Sequence, residues 1–145
     1  MICSANTDVG MKRSVNRDSY ILKTYSEKTC LCLVCDGMGG AKGGAEASKI
    51  ASEKFVSIID DFVAPYIGNK TKRLQGSDIK ETLLYAVEQA NYAVHEYAQI
   101  HPTLKGMGTT LVAALIIQNT VFCVNVGDSR MYFMKGAKIK QITKD

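Results

Sequence analysis

The chain has 145 residues, 46% of them hydrophobic, and a formal net charge of +4. That apolar content excludes a disordered tail, and the length suits one domain around one core. No Lys/Arg run is long enough to argue for nucleic acid, and the longest apolar stretch, Leu111 to Ile117, is far too short to cross a membrane.

A first strand is expected near residues 2–7, followed by strands at 18–25 and 30–35 that form a hairpin around Ser26-Glu27-Lys28. A helix should run from about Gly44 to Asp61, because Ala47, Ile50, Ala51, Phe55, Ile58 and Phe62 recur at helical spacing. Pro65, Gly68 and Gly76 mark a loop. Ser77 reads as the N-cap of a second helix to about Ala98, burying Ile79, Leu83, Val87, Ala90, Val94 and Tyr97. Four strands are expected near 109–117, 120–126, 129–135 and 138–142, with tight turns at Gln118-Asn119 and at Gly136. Leading strands, two consecutive helices and a meander of strands predict an α+β fold with mostly antiparallel pairing. No internal repeat, low-complexity tract or linker is visible.

The chemistry concentrates at strand ends. The apolar run Leu31-Cys32-Leu33-Val34-Cys35 stops at Asp36, and Gly37, Gly39 and Gly40 follow. A carboxylate on a rigid strand end, beside backbone that lacks a Cβ, suits a hard cation such as Mg²⁺ or Mn²⁺. Taken alone, Asp36-Gly37 reads equally well as a surface turn. A second strand, Val121 to Val126, runs into Gly127-Asp128-Ser129-Arg130 in the same manner. Near the N-terminus, Arg13 could offer a forked guanidinium to a phosphate, with Asp18 nearby, or could be a solvated surface charge.

Five segments together resemble the metal-dependent protein phosphatases of type 2C, the PPM family, in their bacterial form. They are Thr7-Asp8-Val9-Gly10 with Arg13, Asn16 and Asp18; Asp36-Gly37-Met38-Gly39-Gly40; Gly106-Met107-Gly108-Thr109-Thr110-Leu111; Val126-Gly127-Asp128-Ser129-Arg130; and Gln141-Ile142-Thr143-Lys144-Asp145. The resemblance implies a β-sandwich flanked by helices in αββα layers, here incomplete at the C-terminus, with residues 1–145 forming the N-terminal portion of a single phosphatase domain. It implies hydrolysis of phosphoserine and phosphothreonine in proteins by metal-activated water, with two or three Mn²⁺ or Mg²⁺ ions in the complete domain. Asp36 and the backbone carbonyl of Gly37 would bind metal, and Asp128 would serve an additional, weaker metal site. Arg13 would hold the substrate phosphate, and Asp18 would orient metal-bound water. The implied partners are phosphorylated proteins and, by family analogy, a serine/threonine kinase system, with neither nucleic acid nor membrane.

Two departures qualify these implications. Where the family usually has Glu or Gln, this chain has Arg17. A cation about 4 Å from a dication costs several kcal/mol even at an effective dielectric of ~20, so Arg17 must point away or weaken the site. The family's remaining metal aspartates would lie beyond Asp145, leaving Asp18, Asp36 and Asp128 to face two dications, with Arg13 offsetting one charge. Weak metal binding and slow turnover are therefore expected of this chain. The competing readings are a catalytically inactive, phosphatase-like binding or regulatory module, and a fragment with no separate role, which should expose an unfinished sheet edge.

The remaining chemistry-bearing residues read more plainly. Cys32 and Cys35 fall at odd spacing on one strand, on opposite faces, and cannot share a zinc ion. Cys30 and Cys32 share a face, but nothing near in sequence completes four ligands, so the five cysteines read as free thiols acting as small hydrophobes. With no secretory signal visible in Met1-Ile2-Cys3-Ser4, a cytoplasmic location is expected. His95 and His101 are expected on or after the second helix, away from the site. Met38 stands where some relatives carry a proton-donating histidine, and a thioether cannot donate. The glycines of residues 39–44 lack the Gly-Lys-Ser/Thr ending of a nucleotide loop.

Overall fold

A computed structural model describes residues 1–69 and 71–145; Lys70, within the loop expected around Pro65, Gly68 and Gly76, lies outside the described residues. The elements in chain order are β1 (Asp18–Ser26), β2 (Thr29–Met38), α1 (Gly40–Val63), α2 (Gly76–Ile100), β3 (Gly108–Thr109), β4 (Leu111–Ile117), β5 (Thr120–Val126), β6 (Tyr132–Lys135) and β7 (Lys138–Gln141). Strands β1, β2, β4 and β5 pair antiparallel in that spatial order, β3 extends the β2 pairing, and β6 pairs with β7 as a separate hairpin. The α+β, antiparallel architecture expected from the sequence is the one observed.

Alternation along β2 divides the molecule. Leu31, Leu33 and Cys35 turn to one face and are almost wholly excluded from solvent, and Leu111, Ala113 and Leu115 of β4 join them. Onto that face α1 lays Ala47, Ala51, Phe55, Ile59 and Val63, and α2 adds Ile79, Leu83, Ala86, Ala90 and Val94. Burial pushes the Cys35 thiol up to about 12, which keeps it a neutral hydrophobe in this core. Polar contacts pin the same layers: Asp60 of α1 takes hydrogen bonds from Lys23 and from the Tyr25 hydroxyl, and Ser19 meets Ser52 at 3.0 Å.

The other sheet face is covered thinly. Tyr20, Cys32, Val34, Ala114 and Val121 line a cleft of about 830 Å³, bounded across from them by residues 4–8 and by Met131–Phe133 and Ile142. Val34 and Val121 are about half exposed there. The described residues thus supply one helical layer, one five-stranded sheet and a two-stranded piece beyond it. No helix lies outside the hairpin among the described residues, so the implied αββα arrangement appears as its first layers.

Several boundaries differ from expectation for identifiable reasons. Residues 2–7 are not a strand, since β6 and β7 pair only with each other and offer that segment no ladder. Helix α1 starts four residues early, at Gly40, despite the poor helix propensity of glycine. Tertiary contact overrides propensity there: a Cβ on Gly43 would sit 3.1 Å from Met107, and one on Gly44 2.8 Å from Gly37. The N-cap of α2 is Gln75, not Ser77, whose hydroxyl donates to Asp78 inside the first turn. The strand expected at 129–135 begins at Tyr132, because the Met131 amide donates to the Thr143 hydroxyl and not to a ladder carbonyl.

Phe55 is fully buried between the helices and the sheet. Phe55→Ala should cost about 3–5 kcal/mol, read as a lowered urea midpoint with an unchanged slope.

Candidate functional site

Strand polarity gathers the site at one end of the sheet. Strand β4 runs antiparallel to both β2 and β5, so β2 and β5 point the same way and Asp36 and Asp128 leave at the same end. Strand β1 runs antiparallel to β2, so it begins at that end, bringing the preceding loop and Arg13 with it. Within the pairing of β1 with β2, Asp18 and Asp36 are direct cross-strand partners. The Asp18 carboxyl is pushed above the ordinary carboxylate range, first by partial burial and then by the charge and hydrogen bonding of Asp36. Arg13 and Arg17 both pull the other way, which places both guanidinium groups within electrostatic reach of the pair.

The loop carrying Arg13 is organised by its own side chains. Asn16 donates to the Thr7 hydroxyl at 2.7 Å and accepts from the Asp18 amide at 3.0 Å, while Asp8 accepts from the Gly10 amide at 2.6 Å. One asparagine therefore ties residue 7 to the first residue of β1. Arg17 resolves part of the conflict expected at its position. Its carbonyl accepts from the Gly37 amide at 3.1 Å, and its Cδ would lie 2.8 Å from a Cβ on Gly44. The stem packs toward α1, and the Nε is buried with no hydrogen-bond partner. Its charge nonetheless still acts on Asp18.

Gly37 is buried where β2 crosses the first turn of α1, and a Cβ there would meet the Gly44 carbonyl oxygen at 1.9 Å. The backbone around Asp36 is fixed by threonines. The Thr110 amide donates to the Asp36 carbonyl at 2.9 Å, and the Asp36 amide donates to the Thr110 side-chain hydroxyl, not to its carbonyl, at 3.0 Å. That exchange interrupts the expected 109–117 strand and separates β3 from β4. The Thr110 hydroxyl also meets Ser129 at 2.6 Å, joining the loop of Asp128 to the backbone of Asp36. Asp128 itself is not brought against Asp36: β4 intervenes, and two inter-strand spacings amount to about 10 Å. Gly127, at φ 96, lets this loop turn back over Thr110.

Asn16, Thr109, Thr110 and Ser129 were legible only as members of motifs; the hydroxyls and amide that set the geometry carry no signal at the level of charge or periodicity. His101 stacks on Tyr97 and shares a 2.9 Å hydrogen bond with its carbonyl, while His95 and Met38 line a groove of about 770 Å³ beside α2. Arg130 pairs with Asp145, which lies below the ordinary carboxylate range chiefly through that hydrogen bond. Among the described residues, no helix is long and apolar enough to cross a membrane.

Comparison with known proteins agrees with this geometry. A family model described as protein phosphatase 2C matches residues 11–145. A Listeria innocua protein named serine/threonine phosphatase stp is 34% identical over 139 residues, covering 96% of this chain and 52% of its own length. A crystal structure of Stp1 from Staphylococcus aureus superposes with a TM-score of 0.80 at 33% identity, over 97% of this chain and 52% of that one. The catalytic domain of the phosphatase PstP, solved in complex with two manganese ions, gives a TM-score of 0.79 at 33% identity, over 98% and 54%. The chain belongs to the protein phosphatase 2C family. It spans about half the length of these relatives.

The carboxylate pair has a measurable signature. Because the folded state raises the Asp18 pKa, ionised Asp18 works against folding at neutral pH, and that cost disappears as falling pH protonates it. Asp36→Asn should therefore raise stability at pH 7 by a few tenths to about 1 kcal/mol, with the gain shrinking toward acid. Urea midpoints of both chains at pH 7 and in acid check this.

Proposed function

We propose that residues 1–145 are the N-terminal portion of a single phosphatase domain that hydrolyses phosphoserine and phosphothreonine in cytoplasmic proteins, using Mn²⁺ or Mg²⁺. The observation that carries this reading is the Asp18–Asp36 pair facing across β1 and β2 with Arg13 within electrostatic reach. Two acidic oxygen donors side by side, one of them pushed toward its protonated form, fit a hard dication that would neutralise both. Asp36 and the Gly37 carbonyl would hold the first ions, and Asp128 an additional, weaker one. Bound there, such ions would supply an acidified water near neutral pH.

The chain's own residues do the rest. Asp18 would orient the attacking water by accepting its proton in a hydrogen bond. Arg13 would take the phosphate and neutralise charge on the phosphoryl oxygens as the leaving oxygen departs. Met38 has no proton to give, so the leaving alkoxide would take its proton from water. No covalent enzyme intermediate is needed. Substrates would be phosphorylated proteins, with a serine/threonine kinase system as the natural counterpart.

A second reading, a phosphoprotein-binding or regulatory module without catalysis, is favoured by one observation: Arg17 keeps its charge acting on Asp18. A guanidinium there strengthens phosphate capture and opposes dication binding.

Calorimetric titration of the 145-residue chain with Mn²⁺ should show weak binding, and para-nitrophenyl phosphate should turn over slowly or not at all. Tight binding with brisk turnover would overturn this. In the complete domain, Asp36→Ala should abolish metal-dependent activity, whereas Arg13→Ala should mainly raise KM. Unchanged rates in both variants would remove these residues from the mechanism, and phosphopeptide binding without turnover would favour the module.

A further inference from the structure

At the far end of β2 from Asp36, four sulfur atoms meet. Cys30 and Cys32 project from the same side of the strand, and the N-terminal segment lays Cys3 across them. The three Sγ atoms all lie within 4.8 Å of one another, and Cys3 and Cys30 are 3.6 Å apart. Met1 adds a thioether whose Sδ is 3.0 Å from the Cys30 Sγ. All three cysteines are free thiols. Nothing near in sequence completes a ligand set around Cys30 and Cys32, as their spacing indicated. The further donors come from residues 1 and 3, nearly thirty positions away, and sequence proximity could not reveal them.

We propose that Cys3, Cys30 and Cys32, with the Met1 thioether, form a binding site for the soft monovalent ion Cu(I). Thiolate and thioether donors select soft metals and leave Mn²⁺, Mg²⁺ and Ca²⁺ to oxygen ligands. Between the two common thiophilic ions, zinc closes its structural sites with four thiolate or imidazole donors. This cluster offers three thiols and a neutral sulfur. A trigonal ion about 2.3 Å from each sulfur holds its donors about 4 Å apart, close to the spacing already present. Cys30 is 2% exposed, so a bound ion would be shielded from water on one side, while exposed Cys3 leaves an entry path.

Softness and distance keep this site apart from the proposed phosphatase centre. Cys32 and Asp36 are four residues apart on one strand, about 13 Å. Occupancy would fasten residues 1–3, which have no strand partner, to β2. Binding would release thiol protons and stabilise the folded chain by mass action.

The test is an anaerobic titration of the reduced, full 145-residue chain with Cu(I) in competition with bicinchoninate. One equivalent should move to the protein, with a near-ultraviolet thiolate-to-copper absorption band and a raised Tm. Excess Mn²⁺ should not displace it. Cys3→Ser, at an exposed position outside every strand, should weaken Cu(I) binding at least tenfold without loss of fold by circular dichroism. Cys123→Ser on β5 should leave it unchanged. Failure to take copper from the chelator would overturn the proposal, as would parent-like affinity in Cys3→Ser or displacement of copper by equimolar Zn²⁺. None of these readings depends on phosphatase activity.

Discussion

Two carboxylates that repel one another organise the end of the sheet where the candidate site lies. Asp18 and Asp36 are locked in cross-strand register by the antiparallel pairing of β1 and β2, so they cannot separate without breaking the hairpin. Like charges directly opposite each other on a sheet are destabilising, and partial burial of Asp18 adds to the strain. A fold built for stability alone would place a neutral or oppositely charged side chain at one of these positions. The two stand together with cationic Arg13 and Arg17 only flanking them, and the proposed phosphate chemistry rests on that arrangement.

The supporting framework is made of small residues and hydroxyls. Gly37 and Gly44 allow β2 and α1 to cross at backbone contact, and Arg17 closes the same crossing with its carbonyl. Thr110 then substitutes a side-chain oxygen for a ladder carbonyl opposite Asp36 and passes the connection to Ser129. Each link is a modest interaction, worth about 1 kcal/mol net. Their value lies in fixing orientation, because a ligand set loses function through small displacements.

Much of this was legible in the residues. Helical spacing located Phe55 and Leu83 in the core, and alternation placed Cys32 and Cys35 on opposite faces. The two apolar runs leading to Asp36 and Asp128 were recognisable because they stop abruptly at Asp and Gly. What was not legible depended on partners. Residues 2–7 have the composition of a strand but no neighbour to pair with, and the early start of α1 goes with the close packing of Gly43 on Met107 and of Gly44 on Gly37. The direction of the Arg17 stem and the role of Asn16 also required coordinates, since both are set by contacts with residues distant in the chain.

The thinly covered sheet face bears on how the molecule behaves in a concentrated salt solution. Tyr20, Val34 and Val121 present apolar surface around a cleft of about 830 Å³, and Tyr132, Phe133 and Ile139 are more than half exposed nearby. Sulfate and phosphate, being excluded from protein surfaces, strengthen the tendency of such areas to meet. The chain is consequently one to salt out early and to be retained on a phenyl resin, whatever its net charge of +4 contributes to solubility.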